Sequence, residues 1–238
     1  MKKILAVVAA LTLFTACKKE DHGDTNVHIT GNIKGFKQGR LFIKKYNDST
    51  LVTIDTINVD GDSKFESHLK MDSPDMLYLV IDRGTTESID DNLMFFAEPG
   101  NVTIDTKLDY FYAQAKIKAG PNQDKFAEYE KTIRRYTDMN LELVAKNMEA
   151  TKQGNATRLD SISKAMDSNT KRRYLFTANY ALNNGKYEVA PYIVLKEIPD
   201  INLKYLDTIS KSMTPKVAAS KYGKVLNEYI KERKKEGI

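Results

Sequence analysis

Two apolar periods divide the chain. From Val27 to about Gly120, short alternating apolar runs are separated by turn residues, the signature of a sheet built from adjacent strands. Val27, Ile29 and Ile33 alternate around Gly31. Leu41-Phe42-Ile43 follows Gly39, and Leu51 to Val59 leads to Asp60-Gly61, a pair favoured by tight two-residue hairpins. Phe65, Ser67 and Leu69 alternate on the return. Met76 to Ile81 and Leu93 to Ala97 are continuous apolar runs, which predict central strands buried on both faces. Pro99-Gly100 turns into Val102 and Ile104, and a last strand around Ala115 to Ala119 ends at Gly120-Pro121. The expectation is an antiparallel β-sandwich or a partly open barrel of about eight strands.

Past Pro121 the period becomes helical. Phe126, Tyr129, Ile133, Tyr136 and Leu143 recur at spacings of three and four, with Asn140 as the one interruption, and predict a long helix from about Asn122 to Ala150. Gly154-Asn155 breaks it. Leu159, Ile162, Met166, Phe176 and Tyr180 continue the spacing in a second long helix, with Asn169 and Arg173 in the middle of its stripe. Two long helices joined by a short polar loop predict an antiparallel hairpin. Three shorter helices are expected after Asn183-Asn184-Gly185, at about Glu188 to Glu197, Leu203 to Met213 and Pro215 to Lys234. The fold class is therefore α+β, with a β-rich domain at 27–120 and a helical domain at 121–238.

The start of the chain follows neither period. Lys2 and Lys3 precede an apolar run from Ile4 to Phe14, which is shorter than the roughly 20 residues needed to span a bilayer. It reads as the core of a signal peptide over residues 1–16. Leu13-Phe14-Thr15-Ala16-Cys17 resembles a lipobox, in which the cysteine receives acyl chains such as palmitate and becomes the first residue of the mature protein. Cys17 is thus the expected lipidation site and the membrane the expected first partner. Residues 17–26 are too polar to order themselves and predict a flexible tether. Within it, Lys19-Glu20-Asp21 resembles the lysine-plus-two-acids export signal that sends lipoproteins of Bacteroidota to the outer face of the outer membrane. The same charges also fit a plain solvated spacer.

Composition then limits the chemistry. Cys17 is the single cysteine, so a lipidated mature chain carries no thiol, disulfide or thiolate metal site. His22, His28 and His68 are the only histidines, and their spacing brings no two onto one helix face, so no metal site is expected. The chain's net charge of +5 falls to +3 once Lys2 and Lys3 leave. That charge is too small and dispersed for a nucleic-acid surface. Ser67 with Lys70, Ser161 with Lys164 and Ser168 with Lys171 match the spacing of a serine-x-x-lysine acyl-transfer motif, but its companion motifs are missing. Glu87, Asp90 and Asp91 fall in a polar run that predicts an exposed loop. No catalytic residue and no cofactor are expected.

Several segments carry a family resemblance. Gly31-Asn32-Ile33-Lys34-Gly35-Phe36, Arg40-Leu41-Phe42-Ile43, Asp55 to Gly61 leading to Phe65, and above all Phe95-Phe96-Ala97-Glu98-Pro99-Gly100-Asn101-Val102-Thr103-Ile104 resemble an uncharacterised β-rich domain. That domain is commonly found N-terminal to thioredoxin-like domains in envelope lipoproteins of Bacteroidota. Ser220-Lys221-Tyr222-Gly223-Lys224 resembles the segment leading into their thioredoxin domain, but that domain's paired cysteines have no counterparts up to Ile238. The expectation is an outer-membrane lipoprotein acting as a non-enzymatic binding module, with an envelope protein or glycan as partner. The alternative is an accessory to thiol-disulfide or peroxide proteins, working with a separate thioredoxin-like partner.

Overall fold

The computed structural model describes residues 23–47, 50–84 and 88–237. Cys17, Lys19, Glu20 and Asp21 lie outside them. Eight strands occupy the first part of the described chain: β1 (Val27–Lys34), β2 (Gln38–Asn47), β3 (Thr50–Asp60), β4 (Lys64–Leu69), β5 (Asp75–Ile81), β6 (Asn92–Ala97), β7 (Gly100–Lys107) and β8 (Lys116–Lys118). They form two open four-stranded sheets, ordered β4-β1-β7-β8 and β3-β2-β5-β6. The barrel alternative is thereby set aside, and the arrangement is a sandwich. All neighbours are antiparallel except β1 and β7, which pair in parallel. A parallel pair needs a long crossover, and here that crossover includes the whole of the second sheet.

Alternation along the strands builds the core between the sheets. Ile29, Ile33, Leu41, Ile43, Leu77, Leu79, Leu93, Phe95, Val102 and Ile104 are buried within it. Gly31 takes an inward position on β1 where a side chain cannot fit. A Cβ there would lie 2.1 Å from the Ile104 carbonyl oxygen and 2.6 Å from the Phe65 ring.

Two turns behave differently from their sequence signal. Asp60-Gly61 does not close a hairpin, because β3 and β4 belong to different sheets. The chain crosses the sandwich there, with the Gly61 amide donating to the Lys37 carbonyl and the Ile33 amide to that of Ser63. Glu98-Pro99 likewise carries the chain from β6 into β7 of the other sheet. The run Leu93 to Ala97 is buried on both faces as expected, yet β6 is an edge strand. A helix covers it. The Phe96 amide donates to the Gln123 side-chain oxygen at 2.7 Å, so a helical side chain replaces a neighbouring strand.

The long helices are α1 (Pro121–Lys152) and α2 (Ala156–Asn183). Gly154, at φ +63, makes the turn, and the Asn155 side chain caps α2 by accepting from the Arg158 amide. Near the sheets the hairpin buries Phe126, Tyr129 and Tyr180; its far end has its own small core of Leu143, Ala150 and Ile162. The polar residues in the second stripe have partners: Asn169 donates to the Tyr136 carbonyl and Arg173 to Glu197. Next come α3 (Val189–Glu197) and α4 (Leu203–Ser212). The single helix expected from Pro215 to Lys234 is two, α5 (Pro215–Ala218) and α6 (Lys221–Glu236). Gly223 permits the close packing at the break, since a Cβ there would lie 1.9 Å from the Val217 carbonyl oxygen. The chain must turn at Ala219-Ser220 to pack those two helices that closely. None of the described helices is long and apolar enough to cross a membrane.

Candidate binding cleft and side-chain clusters

Helices cover only part of the outer face of sheet β3-β2-β5-β6. Met76, Tyr78, Met94 and Phe96 project from β5 and β6 into a cluster with Phe126, Tyr192 and Tyr222 of the helices. Further along the same strands the face is open. There Phe42, Lys44, Leu51, Val80, Asp82 and Asn92 help to line a cleft of about 500 Å³, within the size range of small-ligand sites.

Two ion pairs border this cleft. The Arg40 guanidinium meets Asp82 at 2.6 Å, and that of Arg83 meets Asp91 at 2.9 Å. The Gly84 amide, then the Arg40 guanidinium, hold the Asp82 carboxyl below the usual carboxylate range. Lys44 Nζ stands 5.4 Å from the centre of the Phe42 ring and the Arg40 guanidinium carbon 5.6 Å from it. The cleft thus joins an aromatic and aliphatic floor to fixed charges of both signs. That combination fits recognition of an amphipathic ligand.

The serine-lysine spacings bring no dyad together. Ser67 is buried and its hydroxyl donates to Asp55 at 2.5 Å, while Lys70 pairs with Asp24. Lys164 pairs with Asp160, and the Ser161 hydroxyl donates to the Thr157 carbonyl. Of the loop carboxylates, Asp91 is buried against Arg83, Asp90 is exposed, and Glu87 lies outside the described residues.

Two buried polar nodes tie the sheets to the helices. Asp75, at the start of β5, accepts from Lys221 Nζ at 2.6 Å and from the Tyr222 hydroxyl. Burial, and then the negative charge of Asp75, push the Tyr222 phenol well above its ordinary range. In the second node, Asn122 donates to Glu98 at 2.5 Å and to Glu188 at 3.0 Å, and accepts from the Val189 amide at 2.9 Å. Glu98 also lies against Gly120, where a Cβ would come within 1.9 Å of its carboxylate oxygen. The acid of the Glu98-Pro99-Gly100 segment therefore holds a strand-to-helix junction. Among the described residues, no buried side-chain polar atom lacks a partner.

A third cluster was not visible in the residue spacing. β1 and β4 place His28 directly opposite His68, with Glu66 between them on the outer face of sheet β4-β1-β7-β8. The imidazole rings stack at 4.2 Å between centroids. Only the β1–β4 register reveals this pair, and no local signal in the sequence encodes that register. A stripe on α1 is exposed too: Leu141, Val144 and Met148 are 62%, 37% and 59% accessible.

A comparison with curated proteins finds no match. Residues 27–126 hold all eight strands described above and the first turn of α1, and they match the model of a domain of unknown function, DUF4369.

Proposed function

We propose that this chain is a lipid-anchored envelope protein acting as a non-enzymatic binding module, with its ligand seated in the cleft on sheet β3-β2-β5-β6. The cleft carries the reading. It is a concave part of the sheet face that the helices leave open, and the Asp82 and Asp91 carboxylates of its lining are held in ion pairs, which suits recognition more than proton transfer. The lipobox-like segment ending at Cys17 supplies the anchor, and the outer membrane is the proposed address. Lys19-Glu20-Asp21 would direct the domain to the outer face.

The test is site-specific photo-crosslinking in intact cells. A photoreactive residue replaces Phe42 in the cleft or, for comparison, Val144 on the exposed stripe of α1. The expected product is an envelope protein or glycan captured from position 42 and lost when Cys17→Ala releases the protein from the membrane. Capture from position 144 alone would move recognition to the hairpin and overturn the cleft assignment. Capture of a thioredoxin-like protein at position 42 would favour the accessory reading.

A further inference from the structure

His28, Glu66 and His68 lie on the opposite side of the sandwich from the cleft and use none of its residues. The antiparallel register sets His28 of β1 against His68 of β4. Residues directly opposed in this way have Cβ atoms about 5 Å apart. Glu66 precedes His68 by two positions, so the pleat returns its side chain to the same face. The result is a convergence of ligand atoms. Glu66 Oε1 lies 2.6 Å from His28 Nε2 and 2.9 Å from His68 Nε2, and the three ligand atoms fall within 4.8 Å of one another.

From this geometry we propose that His28, Glu66 and His68 form a site for a divalent transition-metal ion of the zinc type. A tetrahedral zinc ion with bonds of about 2.0–2.1 Å holds its ligand atoms about 3.3 Å apart. The two nitrogen-to-oxygen distances here are shorter than that, so Glu66 must withdraw by less than about 1 Å. Its side chain is 55% exposed and has room to do so. The rings stack at an interplanar angle of 18°, so a shared ion also requires His28, 42% exposed against 17% for His68, to turn its Nε2 lone pair out of the stack toward the ion. Metal binding through Nε2 uses the tautomer of each imidazole that carries its proton on Nδ1. Two imidazoles and one carboxylate favour zinc, copper or nickel over calcium or magnesium, which prefer all-oxygen shells. Three protein ligands leave a fourth position open toward solvent, for water or for a donor from another molecule. A bound ion also joins β1 to β4 through side chains.

The experiment titrates the mature chain in detergent with Zn²⁺ against a chromophoric chelator. The expected result is one ion bound per chain. His28→Ala and His68→Ala should each weaken binding about tenfold or more, as should the shape-conserving Glu66→Gln. Circular dichroism checks that each variant is folded, and Co²⁺ in place of Zn²⁺ should give the visible absorption of a tetrahedral nitrogen-oxygen site in the wild type alone. Calcium at about 1 mM should not compete. The proposal fails if the wild type binds no Zn²⁺ at about 100 µM. It also fails if the folded His28→Ala and His68→Ala variants keep wild-type affinity, or if calcium displaces zinc. These readouts are independent of the cleft, so failure here leaves the binding-module reading standing.

Discussion

Removing the Asp75 carboxylate tests how strongly the sandwich and the helices are joined. Asp75 is 6% exposed. Its three acceptor contacts are with the Tyr222 hydroxyl, with Lys221 Nζ at 2.6 Å and with its own neighbour's amide, Met76 N, at 2.9 Å. Losing one partner of a fully buried ion pair costs about 3–5 kcal/mol. The Lys221 side chain, however, is 38% exposed and can turn its ammonium to water, whereas the Tyr222 ring belongs to the buried aromatic cluster. Asp75→Ala should therefore sit at the low end, about 3 kcal/mol, with most of the cost arising from the stranded hydroxyl. Asp75→Asn keeps an acceptor for Tyr222 and should cost about 1.5 kcal/mol. With a urea m value of about 2–3 kcal/mol/M, Asp75→Ala should lower the unfolding midpoint by about 1 M or slightly more. Double-mutant cycles with Tyr222→Phe and Lys221→Met separate the two bonds, and coupling to Tyr222 should exceed coupling to Lys221. The reasoning fails if Asp75→Ala changes stability by less than about 0.5 kcal/mol, or if the lysine coupling is the larger. A midpoint change confined to one of two separate transitions would show that the node stabilises only one side.

The remaining predictions concern the core and high pH. Gly31→Ala must move the Phe65 ring and part β1 from β7 against a projected 2.1 Å approach to the Ile104 oxygen; a loss of about 2–3 kcal/mol is expected in urea unfolding, and an unchanged midpoint would show that β1 can shift freely. Burial pushes the Tyr129, Tyr180, Tyr192 and Tyr222 phenols above their ordinary range. Because the folded state holds these protons longer than the unfolded state, their stabilisation is complete below about pH 10 and declines as pH rises toward the folded values. In phenolate absorbance, only part of the 13 tyrosines should titrate while circular dichroism is native; a single early titration of them all with the fold intact would contradict the burial.

Much of the fold was legible because each element carries its own period. Val27, Ile29 and Ile33 mark β1, and the spacing from Phe126 to Leu143 marks α1 without reference to any other segment. Pairing was less legible. Asp60-Gly61 and Pro99-Gly100 have the composition of hairpin turns, yet both pass between sheets, since a turn signal fixes a change of direction and not the sheet that receives the next strand. The division of α5 from α6 escaped for a similar reason. Gly223 has ordinary helical surroundings in the sequence, and only its approach to Val217 shows that two helices pack closely there. His28 and His68 are the extreme case. Each is one of several polar positions on an alternating strand, and they become a pair only through a register between segments with two other strands between them. Glu98-Pro99-Gly100 stood out by resemblance, but its role at the junction needed Asn122 and Gly120 in place.

The same register places the proposed tether relative to the cleft. Val27 pairs with Leu69 and Gly100, so the chain toward Cys17 leaves the sandwich at the end where β6 turns into β7. Ala97 and its partner Asp75 lie at that end as well. The cleft is lined instead by Val80, Asp82 and Asn92, at the far end of β5 and the near end of β6. At about 3.3 Å per residue, the length of β5 sets the two ends roughly 20 Å apart. The ten positions from 17 to 26 can extend to about 35 Å, more than that separation, so a tether at Cys17 would hold the domain near a membrane without fixing which end faces it. The cleft then opens at the end remote from the tether. A domain anchored in the proposed way would be free to turn that cleft toward a partner in the envelope space.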